Sequence, residues 1–310
     1  MIRGTLKNMV LDAIHQKLLD KPVISVTSGK GGVGKSIIAV NIATALTQRE
    51  YKVSLVDADV DAPDDHLLLS VPLRNAIKVT TTLPIINAEK CTMCRKCVDV
   101  CRRNALFQPK DSQPLLIGDC NGCEACILVC PVDAIERGKR VVGKTYKSKR
   151  GNLTLFTGEL LPGTEESAAV VKALKERVFE GARESDIIVI DTSPGTHCNV
   201  IHSLIGSDMA FAVTEPTPLG AHDLKLILSL LKTLSIRAQV ILNRSDLTGE
   251  KRVVEVIAKT HKMEVFDIPM DDAIFKSYVE GAPAVKKYPD AIGSKRIVKM
   301  TKTIESEYLK

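Results

Sequence analysis

PVISVTSGKGGVGKSIIAVNIATALTQREYKVSLVDA, residues 22–58, sets the architecture of the chain. PVISVT is a short β-rich run and SGKGGVGKS a glycine loop. IIAVNIATALTQRE carries apolar residues at helical spacing, and VSLVDA is the next buried strand. Strand, loop, helix and strand in that order form a βαβ unit, which implies a parallel sheet with right-handed crossovers. The alternation returns after residue 165. EESAAVVKALKERVF reads as a helix, DIIVID and MAFAVT as strands, and LGAHDLKLILSLLKTL as a helix. AQVILN, a helix near 250–262 and MEVFDIP follow. The fold class expected is α/β, a mostly parallel sheet covered by helices.

Within this unit Gly29–Ser36 reads GKGGVGKS and fits G-x-x-x-x-G-K-[S/T], between a strand and a helix as a phosphate loop requires. Gly29, Gly31, Gly32, Val33 and Gly34 supply backbone N–H groups that can turn inward around phosphate oxygens. Lys35 would reach the β- and γ-phosphates of ATP or ADP, and the Ser36 hydroxyl would bind Mg²⁺, with Ile37 next in the opening helix. Asp57 and Asp59 sit at the C-terminal end of the second strand, where open α/β sheets bind ligands. Asp191 ends the apolar run IIVI, the place for a carboxylate that holds Mg²⁺ through water. TSPGT follows it, a loop whose Gly195 N–H could sense the γ-phosphate. A single aspartate at a strand end is often only a helix cap, but three around one phosphate loop point to a nucleotidase.

Residues 86–137 interrupt the alternation with two similar cysteine runs. Cys91, Cys94, Cys97 and Cys101 follow C-x₂-C-x₂-C-x₃-C, and Cys120, Cys123, Cys126 and Cys130 repeat it, with Pro131 after the last. In this spacing three thiolates grip one cluster and the fourth crosses to the other. One [4Fe–4S] cluster would take Cys91, Cys94, Cys97 and Cys130, and the second Cys120, Cys123, Cys126 and Cys101. Zinc is the structural rival, since C-x₂-C pairs also bind it. Two complete four-cysteine runs favour two [4Fe–4S] clusters, as in two-cluster bacterial ferredoxins. The domains expected are thus a P-loop ATPase domain in two parts, 1–85 and 138–310, with a ferredoxin-like insert at 86–137.

KGGVGKS with its second lysine, Lys30, resembles the deviant Walker A motif of the MinD/ParA/Mrp ATPases. VDADVDAP and DTSPGT are similar to the switch regions of that family, and VTEPTPLGAHDLKL to the segment after the second switch. The resemblance covers essentially the whole chain and is nearest to MinD-like ATPases that carry an inserted ferredoxin. It implies a homodimer formed on ATP binding, in which Lys30 crosses to the phosphates bound in the partner subunit. Asp59 would position the attacking water, Asp57 and Asp191 would lie in the outer shell of Mg²⁺, and Asn243 and the loop at Pro269 would hold the adenine. Asp64 departs from the family, which usually has Asn after the proline.

Composition narrows the rest. The chain has 310 residues, 45% hydrophobic and 26% charged, as globular proteins do. No apolar run approaches the ~20 residues that cross a bilayer, and the charged N-terminus lacks a secretory h-region. That N-terminus reads as an amphipathic helix with Leu6, Met9, Val10, Ile14, Leu18 and Leu19 on one face, and a cytoplasmic protein is expected. Nine cysteines in a reducing compartment argue for metal binding rather than disulfides. The ninth, Cys198, reads as a small packing residue beside the second switch, with a cluster ligand as the alternative. A net charge of +6, 4% aromatics and no Trp do not favour nucleic acid. The basic run of Arg137, Lys139, Arg140, Lys144, Lys147, Lys149 and Arg150 reads as a solvated hairpin, or as a docking face for an acidic redox or iron–sulfur partner. His66 and His197, beside the switch loops, are expected to be ordinary hydrogen-bonding residues. IVKMTKTIESEYLK reads as a docked helix without membrane-targeting character.

Overall fold

The computed structural model describes residues 20–247 and 251–309, so the amphipathic helix expected at Leu6–Leu19 lies outside the described residues. The βαβ unit consists of β1 (Val23–Ser28), α1 (Lys35–Thr47) and β2 (Val53–Ala58). A short helix α2 (Asp65–Leu68) leads to β3 (Ile77–Ile86). The cysteine segment follows, with α3 (Lys96–Asp99), β4 (Leu106–Phe107), β5 (Leu115–Leu116) and α4 (Ala125–Leu128). The chain returns through β6 (Ile135–Arg150), β7 (Leu153–Leu160) and α5 (Ser167–Gly181). The second half contains β8 (Ile187–Thr192), α6 (Cys198–Leu204), β9 (Met209–Thr214), α7 (Pro218–Thr233) and β10 (Arg237–Asn243). It ends with α8 (Lys251–Thr260), β11 (Val265–Ile268), α9 (Asp272–Val279), α10 (Ala284–Lys287) and α11 (Ile292–Tyr308).

One nine-stranded sheet runs in the order β11-β10-β9-β1-β8-β2-β7-β6-β3. It is parallel from β11 to β7, and β6 runs antiparallel to both β7 and β3. Because strand side chains alternate, each central strand feeds two cores. Val53, Leu55, Ile187 and Val189 pack toward α1 and α11. Val56, Ile188 and Ile190 pack with Leu174 and Val178 of α5 on the other face, where Ala210, Ala212, Val240 and Leu242 meet α7 and α8. Helix α1 is buried nearly all round, from Ile38 to Leu46, as a helix wedged between sheet and helices must be. The C-terminal helix is docked through Ile297, Met300 and Ile304.

The basic run is not a freely solvated hairpin. Its strand, β6, pairs with β3 over residues 135–145 and with β7 over residues 143–150, and most of its cations have partners within the chain. Arg137 pairs with Glu124 at 2.9 Å, and Arg140 pairs with Glu166. Arg150 donates to the Leu69 carbonyl at 2.8 Å, and Lys147 lies over the Phe156 ring.

Helix α5 packs tightly on this hairpin. A Cβ on Gly143 of β6 would lie 2.5 Å from Val170 Cγ2 and 2.6 Å from the Glu159 carbonyl oxygen. Gly143→Ala is therefore expected to push α5 off the sheet and cost about 1–3 kcal/mol, as overpacking does. Chemical denaturation measures this directly, and an unchanged midpoint would mean that the helix does not press on β6.

Candidate functional site

Alternation places the carboxylates. Residues 53, 55 and 57 of β2 and 187, 189 and 191 of β8 share the α1 face, and Asp57 is the register partner of Asp191. The phosphate loop delivers α1 to the same end of the sheet, so Lys35, in the first turn, meets both strands. Lys35 is 6% exposed, with Nζ 2.8 Å from Asp191 Oδ1 and 3.7 Å from Asp59 Oδ2. Burial alone would pull the Lys35 ammonium toward neutrality, but Asp191 and Asp59 outweigh it and hold the pKa above its ordinary value. Asp59 is pushed up to about 6 by burial, against the pull of Lys35. Burial also pushes Asp191 upward, opposed by Lys35 and, less strongly, by the nearby Ser36 hydroxyl.

The loop is closely fitted. Gly34 has φ +88°, and a Cβ there would lie 2.5 Å from Asn243 Nδ2, so only glycine fits. Asn243 donates to the Val33 carbonyl at 2.8 Å and stands opposite Ile268, with Pro269 just beyond. The Gly195 N–H donates to the Ser28 carbonyl at 2.8 Å, which ties the second switch to the phosphate loop. Asn199 Nδ2 lies 3.2 Å from both Asp61 Oδ2 and Ser193 Oγ, joining the two switches. Lys30 does not point at Lys35. Its Nζ is 3.2 Å from Glu215, a buried carboxylate that also pairs with Arg244.

Sequence reasoning missed Glu215, Arg244 and Asp65. Asp65 is fully buried at the start of α2, and its N–H donates to Asp57 Oδ2 at 3.2 Å. Its position directly after Asp64 and before a helix was the available signal, though it reads equally as an ordinary first-turn acid. Burial first, then neighbouring carboxylates, pushes both Asp57 and Asp65 well above the usual carboxylate range. Among the described residues, Oδ1 of Asp64 and Nδ1 of His66 are buried without a partner. Cys198, expected to be a packing residue, is exposed at the first position of α6. Helix α6 ends on Lys175 of α5, whose Nζ donates to the His202 carbonyl at 2.8 Å and to that of Ile205. Burial alone brings Lys175 down to about 8.

The cysteine runs fold as a pseudo-repeat on the end of the β3–β6 ladder, whose last pair is Ile86 with Ile135. Met93 and Arg95 in the first loop have positive φ, as do Gly122 and Glu124 in the second. Asn104 and Asp133, each three residues after a run's fourth cysteine, match in the same way. Cys91, Cys94, Cys97 and Cys130 line one cavity, together with Arg95 and Lys96. Cys101, Cys120, Cys123 and Cys126 line a second, with Arg102 and Arg103. All eight thiols are free of disulfides. Amide N–H groups donate to sulfur at Cys101, Cys120 and Cys130, over 3.3, 3.4 and 3.2 Å. Burial pushes the thiols of Cys97 and Cys126 up, Cys126 to about 11, so at neutral pH a bound metal is needed to keep them as thiolates. Each cavity can hold an iron–sulfur cluster by donor number, donor type and amide-to-sulfur hydrogen bonding.

The second loop is stitched to the hairpin and to α5. Glu124 accepts from Thr82 at 2.7 Å and pairs with Arg137. Arg140 donates to the Cys120 carbonyl at 2.9 Å and pairs with Glu166, and Arg103 pairs with Glu165 at 3.1 Å. Among the described residues no helix is long and apolar enough to cross a membrane.

Comparison with known proteins agrees with this geometry. An uncharacterized protein of Methanocaldococcus jannaschii is 31% identical over 265 residues, covering 85% of this chain and 91% of that one. An iron-sulfur cluster carrier protein of Aquifex aeolicus is 27% identical over 305 residues, covering 92% of this chain and 67% of that one. In fold, the cell division ATPase MinD of Pyrococcus furiosus superposes with a TM-score of 0.59 at 21% identity, over 92% of this chain and 98% of that one. The family model described as CobQ/CobB/MinD/ParA nucleotide binding domain matches residues 24–284, from β1 into α10. With the phosphate loop, both carboxylate-bearing strands and the sheet inside that span, the chain belongs to the CobQ/CobB/MinD/ParA family of nucleotide-binding domains.

Proposed function

We propose that the protein is a Mg²⁺-dependent ATPase whose nucleotide cycle gates one-electron transfer through two [4Fe–4S] clusters. The observation that carries this reading is that two complete four-cysteine sets sit on a hairpin of the same sheet that bears the phosphate loop. Cys91, Cys94, Cys97 and Cys130 would hold one cluster and Cys101, Cys120, Cys123 and Cys126 the other; when bound, such clusters supply one-electron redox chemistry. Ser36 would hold Mg²⁺ with the nucleotide, with Asp57 and Asp191 beyond it. Lys35 neutralises phosphate charge, and Asp59 orients water for in-line attack.

Lys30 pairs with Glu215 at 3.2 Å, so a dimer in which Lys30 reaches across must break that pair. Helix α5 supplies the mechanical link. Its N-terminal end is clamped to the second cysteine loop through Glu166 and Arg140, and Lys175 near its middle caps α6, which follows the second switch. A shift of that switch is thereby carried to the cysteine loop by one rigid helix.

A cluster-carrier role is the second reading. It draws on the named activity of the Aquifex relative and on the exposure of Cys94 and Cys123, which gives an acceptor access. A carrier would hand iron to an apo-protein in an ATP-dependent way; a gated electron carrier keeps its iron.

Lys35→Ala is expected to abolish nucleotide binding by equilibrium dialysis. Asp59→Ala should bind ATP and dimerise without turnover, and normal hydrolysis by this variant would remove Asp59 from the water-positioning role. An anaerobic EPR redox titration in ADP and then in a non-hydrolysable ATP analogue should give different potentials for at least one cluster. Identical curves would overturn gating within the isolated protein. Lys175→Met should keep nucleotide affinity and both cluster signals but lose the nucleotide-dependent shift, and a shift of wild-type size would rule out α5 as the link.

A further inference from the structure

Asp57, Asp65 and Asp191 each offer a carboxylate oxygen, and these three oxygens lie within 4.8 Å of one another. All three residues are fully buried. Among the described residues, Oδ1 of Asp57, both oxygens of Asp65 and Oδ2 of Asp191 have no hydrogen-bond partner. The nearest ammonium, Lys35, is committed to Oδ1 of Asp191 and leans toward Asp59. Its single positive charge faces four carboxylates, so the pocket carries a surplus of buried negative charge.

A buried carboxylate without a counter-charge costs several kcal/mol, so such a surplus is carried either by protons or by a cation. Donor chemistry decides which cation fits. The three donors are hard carboxylate oxygens converging from two strands and a helix start, with no thiol among them. That set suits a small hard divalent ion and not a thiophilic one. Asp65 is the member that makes the difference. Asp57 and Asp191 alone line up as strand neighbours, whereas Asp65 closes the pocket from the segment that follows the first switch.

We propose that Asp65 completes, with Asp57 and Asp191, a protein-only site that binds Mg²⁺ or Mn²⁺ directly, before any nucleotide arrives. The site deepens the reading of the phosphate-loop pocket, and its test is run without nucleotide so that either can fail while the other stands. A cation there draws residues 57–65 onto β8, so it orders the first switch in advance of phosphate. It also balances the carboxylates that Lys35 cannot serve, leaving Lys35 free to turn toward phosphate.

The test uses the purified, oxidised, full-length protein freed of nucleotide and titrated with MnCl₂, with free Mn²⁺ read from its six-line EPR spectrum. The expected result is one Mn²⁺ sequestered per chain, displaced by Mg²⁺, with the thermal midpoint rising as the site fills. Asp65→Asn is expected to weaken binding about tenfold or more. This variant removes a buried charge, so its unliganded form should fold at least as well as wild type, and an unchanged far-UV circular dichroism spectrum checks that. Three results would each overturn the proposal: no Mn²⁺ taken up without nucleotide, uptake by Asp65→Asn equal to wild type, or a thermal midpoint that tracks pH but not Mn²⁺. The last would mean that protons carry the surplus charge.

Discussion

The buried pair between Lys35 and Asp191 is the contact on which the site depends. An ammonium 6% exposed is tolerated only because a carboxylate meets it at 2.8 Å with a second nearby. That geometry requires α1 to start at the C-terminal ends of β1 and β8, which in turn requires the glycine loop to turn within a few residues. It also requires β2 and β8 to pair in the register that sets Asp57 beside Asp191. Breaking the pair would leave the fully buried Asp191 carboxylate beside Asp57 and Asp65 without its counter-charge. Loop, strand order and register are thus coupled through one ionic contact.

The cysteine segment is attached where it disturbs none of this. It emerges from the β3–β6 ladder, ten paired residues long, at the edge of the sheet farthest from β10 and β11. Antiparallel strands can be joined by any excursion at their tip without altering the parallel order behind them. The half of β6 that carries the segment, residues 135–142, pairs with β3 alone, and β7 joins it only from Gly143 onward. What fixes the segment against the sheet is therefore its side-chain contacts, such as Arg140 to the Cys120 carbonyl at 2.9 Å.

Much of this was legible in the sequence, for identifiable reasons. PVISVT, VSLVDA, DIIVID and MAFAVT are apolar on both faces, the pattern of strands buried in a parallel sheet. The spacing of each run marks its first three cysteines as one loop, and those three line a cavity with the fourth cysteine of the other run. What was hidden was anything set by long-range packing. Lys147 and Arg150 read as solvated charge, yet Lys147 lies over the Phe156 ring of the neighbouring strand, and the two donate to the carbonyls of Gly181 and Leu69, both far away in sequence. Asp65 went unnoticed, since nothing local distinguishes a solvated carboxylate from one enclosed between two strands. Glu215 was invisible as the partner of Lys30 because the two are brought together only by the pairing of β9 with β1.

Lys175 shows how the two halves can influence one another through a single charge. It is a half-buried ammonium held by carbonyl oxygens at the end of α6, in apolar surroundings that include Val56, Val178 and Ile190. Such an ion is stabilised by the negative end of the helix and by correct carbonyl placement, and both fall away steeply with displacement. A movement of α6 that opened those bonds would leave the charge without partners, so α5 must follow α6 or the ammonium must lose its proton. With burial holding its pKa near 8, the proton stays on at neutral pH. On the proposed gating, the helix would move with the switch. Because Glu166 at its other end grips Arg140 of β6, and Arg140 grips the Cys120 backbone, that motion would reach the second cysteine loop through one strand.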